Sequence, residues 1–187
     1  RNVVIDKKFV KKVIQIAKKA GLIVMQIYNK PFTFKKKRDS SPVTKADLLS
    51  EEFISSALQK LTAKIPVIAE ESFSIKKHSR QLKKSFWLVD PLDGTKEFIS
   101  KNGQFTINIG LIENGKPIFG VIHAPAKRSI FFGLVEKRLA YRNSGRNFKK
   151  MNVRNKIQSN PTFALSRSHG KGKKLKSFLS KVKNYKK

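Results

Sequence analysis

No cysteine occurs among the 187 residues. Disulfides and thiolate metal sites are therefore excluded, and any bound ion must rely on oxygen or imidazole. Histidine is scarce as well: His78, His123 and His169 stand far apart and show no zinc-ligand spacing. No apolar run approaches the ~20 residues of a membrane-spanning helix, and no secretory leader is visible, so a cytoplasmic protein is expected. Acid is the other shortage. Twelve Asp+Glu face 42 Lys+Arg, a formal net charge of +30. Such a field draws polyanions: nucleic acid, small phosphorylated molecules, or the anionic inner face of a membrane, where peripheral association is compatible with the charge. The lysines, however, come as pairs and triplets over nearly every segment. They read first as solvated faces, and only second as a nonspecific polyanion-binding surface. Nothing in the sequence sets an oligomeric state.

What is present begins with helical periodicity. Over residues 3–29, Phe9, Val10, Val13, Ile14, Ala17, Ala20, Val24 and Tyr28 fall at helical spacings, predicting an amphipathic helix that ends before Pro31. Phe32–Phe34 reads as a short strand, and Thr44-x-x-Asp47 opens a second helix to about Leu61 with a capping-box start. From Ile65 the texture turns to strands: 65–69, 86–89, 105–112 and 117–122, the last two flanking an Asn114-Gly115 hairpin signal. Residues 130–135 and 139–141 form another pair, 162–165 a later strand, and 173–183 a final helix. The expectation is an α+β fold with an antiparallel sheet in residues 1–150. Residues 151–187 then open a second α/β layer that barely begins.

Five of the 12 acids lie where they bear on chemistry. Asp90-Pro-Leu-Asp-Gly-Thr95 follows an apolar strand, and Pro91 is expected to force a turn. The Asp90 and Asp93 carboxylates and the Leu92 carbonyl could then surround one hard cation. Gly94 would let a phosphate approach the backbone, and Thr95 would start a helical turn whose free N–H groups favour anions. The alternative is an ordinary surface turn. Glu70-Glu71 closes the 65–69 run, and two adjacent carboxylates beside a buried strand are costly without a cation. In isolation they would read as a solvated acidic turn. Asp47 either caps its helix alone or also accepts a hydrogen bond from the Thr95 hydroxyl, orienting it toward a water.

Three segments together, Ser41-Pro-Val-Thr-Lys-Ala-Asp47, Val67-Ile-Ala-Glu-Glu-Ser72 and Trp87–Phe98, resemble the inositol-monophosphatase superfamily in order and spacing. Asn102–Asn108 and Gly115–Val121 continue the resemblance. Lys96-Glu97-Phe98 and Ser166-Arg-Ser-His169 look more like its bisphosphate nucleotidase branch than its inositol branch. The resemblance implies a layered αβαβα sugar-phosphatase-like fold and magnesium dependence, with two or three ions in the complete family site. It implies Glu70, Asp90 and the Leu92 carbonyl for a first Mg2+, and Asp90 with Asp93 for a second. Asp47 and Thr95 would be the catalytic, water-activating pair. Glu70 and Leu92–Thr95 (Leu92, Asp93, Gly94, Thr95) would meet the phosphate, and Ser166 and His169 the nucleotide, with a structural role for His169 the alternative. The implied reaction is hydrolysis of 3′-phosphoadenosine 5′-phosphate to AMP and phosphate. Inositol monophosphatase activity, or a non-catalytic basic polyanion-binding protein, are the competing readings.

One departure stands out. The family's W-D-x-A-A segment supplies a further aspartate to the second metal, yet the only tryptophan here is Trp87 and no aspartate follows Asp93. A truncated second domain and impaired turnover are the expectations that follow.

Overall fold

Asp6 begins the first helix by accepting a hydrogen bond from the Phe9 N–H at 2.7 Å. This is the side-chain cap that an otherwise unsatisfied helix start requires. The computed structural model describes residues 3–37, 42–73, 84–143, 145, 147–156, 162–165 and 173–180. Two units divide the chain, Arg1–Met151 and Asn152–Lys187.

In the first unit, α1 (Lys7–Tyr28) buries Phe9, Val10, Val13, Ile14, Ala17, Ala20, Gly21 and Val24. A two-stranded ribbon follows, β1 (Phe34–Lys36) against β2 (Pro42–Thr44). Next comes α2 (Lys45–Leu61), whose capping box is formed by Thr44 and Asp47. A seven-stranded sheet holds the rest in the order β3 to β9: β3 (Val67–Ala69), β4 (Ser85–Asp93), β5 (Thr106–Glu113), β6 (Lys116–Ala124), β7 (Ser129–Leu134), β8 (Leu139–Asn143) and β9 (Phe148–Met151). The pairing of β3 with β4 is parallel; all later neighbours are antiparallel. Asn114 and Gly115 join β5 to β6 with φ of 51° and 73°, the double left-handed turn that matches strand twist. The short helix α3 (Thr95–Ile99) leaves the end of β4.

The core lies between the two long helices and the sheet, around Trp87, Phe98, Phe105 and Phe119. Trp87 stacks on Phe9 with ring centroids 5.9 Å apart. Its indole N–H donates to Thr62 Oγ1 at 2.8 Å, so the buried polar edge is satisfied. This anchors β4, and with it the acidic segment at the end of β4.

Several expectations are corrected. The first helix starts at Lys7, not residue 3. Phe32 joins an aromatic cluster, 4.9 Å from the Phe98 ring, and the strand begins only at Phe34. Pro91 does not turn the chain: β4 runs on to Asp93, and the pairing with β5 slips between Asp90 and Asp93. A proline has no N–H for the ladder, so a bulge absorbs it. Strand β9 was not foreseen, since Phe148-Lys-Lys-Met151 shows no apolar alternation. In the second unit, Thr162 makes a single bridge where a strand over 162–165 was expected. That unit's helix, α4 (Lys173–Ser180), follows, with the Phe178 ring edge-to-face against Phe163 at 5.9 Å.

Candidate active site

Parallel pairing decides which acids meet. Ala69 of β3 lies opposite Val89 of β4, so Glu70, just past β3, comes level with Asp90 in β4. The Glu70 N–H donates to the Val89 carbonyl at 3.1 Å. Asp90 is within hydrogen-bonding reach of Glu70 and also faces Asp93; burial, then the Glu70 charge, then that of Asp93, push its carboxyl up to about 7. Asp93 accepts from Asn108 Nδ2 at 3.1 Å. The other amide atom, Asn108 Oδ1, is buried and has no hydrogen-bond partner among the described residues. Asn108 is also the register partner of Asp90 across the sheet.

Asp47 serves two purposes through its two oxygens. Oδ2 accepts from the Thr44 N–H at 2.7 Å and the Thr44 hydroxyl at 2.6 Å, which is the helix cap. Oδ1 lies 3.0 Å from Thr95 Oγ1. The same hydroxyl is 3.2 Å from the Leu92 carbonyl. Thr95 holds this place because Gly94, at φ 90°, turns the chain from strand into helix. A Cβ on Gly94 would stand 3.0 Å from the Gln104 carbonyl oxygen, so this turn needs glycine on two counts.

Three contributors were not legible in the sequence. Lys37, one of a run of lysines after Phe34, places its ammonium 2.6 Å from Glu71 and 3.4 Å from Glu70. Burial opposes its charge, but the Glu71 hydrogen bond and both glutamate charges more than offset this and raise its pKa. Glu71 is deeper; burial, with the Asp47 and Glu70 charges, keeps its carboxyl above the ordinary range despite the lysine. One lysine therefore does not neutralise the group. Ser50 and Glu51, on α2, bind the backbone of the two acidic segments: Ser50 Oγ donates to the Pro91 carbonyl at 2.8 Å, and Glu51 accepts from the Glu71 N–H at 2.8 Å. Ser166 and His169 lie outside the described residues.

Among the described residues, no three acidic or imidazole groups close on one point as a ready metal cluster. The chemistry nevertheless fits a hard divalent ion: oxygen donors only, like charges raising Asp90, and an orphaned amide oxygen in register with it.

Known proteins share this fold. The model of the inositol monophosphatase family matches residues 6–187. The 3′(2′),5′-bisphosphate nucleotidase CysQ of Salmonella typhimurium is 42% identical over 162 residues, covering 84% of this chain and 63% of that protein. The CysQ of Escherichia coli K12 is 39% identical over 175 residues, covering 91% and 68% respectively. Among solved structures, CysQ from Bacteroides thetaiotaomicron superposes with a TM-score of 0.76 at 30% identity, over 97% of this chain and 72% of that one. The chain thus spans roughly two thirds of the length of these nucleotidases: 63% and 68%.

Proposed function

Starting from the fact that this chain belongs to the inositol monophosphatase family, we propose that it is a Mg2+-dependent phosphomonoesterase acting on 3′-phosphoadenosine 5′-phosphate. The observation that carries this reading is the Thr95–Asp47 hydrogen bond, 3.0 Å long, set beside the Glu70–Asp90–Asp93 group. Glu70, Asp90, Asp93 and the Leu92 carbonyl would hold the divalent ions, which supply positive charge to the phosphate oxygens.

The protein's own part is positioning and proton handling. Asp47 Oδ2 is saturated by Thr44, which leaves Oδ1 as the basic oxygen toward the site. With the Thr95 hydroxyl donating to Oδ1, its lone pairs can accept a hydrogen from a water held for attack. The water oxygen bonds phosphorus as its proton passes through Thr95 to Asp47, the ester P–O bond breaks, and the 3′ oxygen of AMP takes a proton from solvent, to which Asp47 returns one. The helix start behind Gly94 would favour an anion such as the phosphate. The choice of a nucleotide over an inositol phosphate rests on the CysQ relatives and on Lys96-Glu97-Phe98 and Ser166–His169 in the sequence.

Phosphate release with Mg2+ tests it, using 3′-phosphoadenosine 5′-phosphate and inositol 1-phosphate side by side. Preferred turnover of the nucleotide is expected, and Thr95→Ala should lose about 100-fold or more. Equal or faster release from inositol 1-phosphate would overturn the substrate assignment. No release from any monoester would overturn the activity.

A further inference from the structure

Helix α2 turns a buried stripe of Ala46, Ser50, Ile54 and Leu58 toward the sheet. Ser50 is the polar exception in that stripe and has no exposed surface. A serine inside a helix usually faces solvent or bonds back to its own preceding turn. Ser50 instead donates to the carbonyl of Pro91, 41 residues away. That carbonyl belongs to the bulge, where residue 91 has no pairing partner on β5. Glu51, next along the helix and also buried, receives the N–H of Glu71, just past the end of β3. Asp47, one turn earlier on the same face, holds Thr95.

We propose that Ser50 and Glu51 are positioning residues for the cation site: through Pro91 and Glu71 they fix the Asp90–Asp93 and Glu70 segments to one rigid helix. This rests on the reading of those acids as cation ligands. The physical need is clear. Glu70 and Asp90 both stand where regular strand pairing ends. A helix supplies a stiffer reference than either segment could provide alone. Asp47, Ser50 and Glu51 fall at i, i+3 and i+4, so a single helix face reaches all three segments. Neither Ser50 nor Glu51 needs to touch an ion; each acts by holding the backbone that carries the ligands.

Mn2+ titration of the full chain by calorimetry tests this, with circular dichroism confirming that each variant is folded at the temperature used. Ser50→Ala and Glu51→Ala should each weaken Mn2+ binding about tenfold. Glu51→Gln keeps an oxygen for the Glu71 N–H while removing the charge, so it should bind as the unsubstituted chain does. Should Ser50→Ala fail to fold, the two Glu51 variants decide alone. Unaltered affinity in Glu51→Ala overturns the proposal, as does a Glu51→Gln variant as weak as Glu51→Ala, which would show that charge matters and not placement. Asp90→Asn separates the two levels. If it abolishes binding while the α2 variants do not weaken it, only the positioning role fails. If it too binds normally, or the unsubstituted chain binds no Mn2+, the cation-site reading fails and takes the positioning role with it.

Discussion

Replacing Gly21 by alanine should destabilise the fold, although helix propensity argues the opposite. Gly21 sits inside α1, where alanine is favoured over glycine by about 0.5–1 kcal/mol. A Cβ there, however, would stand 2.5 Å from His123 Nε2, 2.6 Å from His123 Cδ2 and 3.2 Å from the Pro125 Cβ. The ring cannot swing away freely, because Nδ1 is 3.1 Å from the Ser129 carbonyl, and breaking that hydrogen bond costs about 1 kcal/mol. Forcing an extra methyl into a packed contact costs about 1–3 kcal/mol. The net expectation is a loss of about 1–3 kcal/mol, or roughly 2–10 °C in Tm for a chain of this size. Thermal and urea unfolding of Gly21→Ala measure it. Adding His123→Ala should restore part of the loss relative to His123→Ala alone, because the clash and the ring disappear together. A Gly21→Ala protein as stable as the original, or an additive double variant, would refute the packing argument.

His123 also predicts a pH effect. Burial, opposed by the Ser129 hydrogen bond and reinforced by Lys18, holds its folded pKa below the ordinary imidazole value of 6.5. The unfolded chain therefore takes up a proton first as pH falls. Stability contributed by neutral His123 is present above about 6.5 and lost below it, and His123→Gln should flatten that part of a stability–pH profile. Gly94→Ala should cost about 1–3 kcal/mol, from the φ of 90° and the 3.0 Å approach to the Gln104 carbonyl, and should lower phosphate release by moving Thr95; a variant with unchanged stability and turnover would refute it. Polyanion binding by the lysine-rich surface should fall about 10³-fold between ~50 and ~200 mM salt if six or so phosphates are contacted. Salt-insensitive, sequence-selective binding would show a dedicated nucleic-acid site instead.

By itself, the sequence determined the features whose causes are local. Helical periodicity marked α1, Asn114-Gly115 marked the hairpin, and Thr44-x-x-Asp47 marked the cap that opens α2, because each depends on residues a few positions apart. The acidic clusters were visible for the same reason: they follow apolar runs in a chain with only 12 acids. Tertiary structure decided the rest, through contacts between distant segments. Parallel pairing of β3 with β4 set Glu70 beside Asp90, which no linear spacing specifies. The bulge kept β4 extended through Pro91, because its partner strand could slip in register where the proline lacked a donor. Lys37 reached the glutamates from a run of similar lysines, and nothing local distinguishes it from Lys35 or Lys36. Ser50 and Glu51 looked like ordinary helix residues until the fold buried them against backbone 41 and 20 residues away, where an unmet hydrogen bond would be costly.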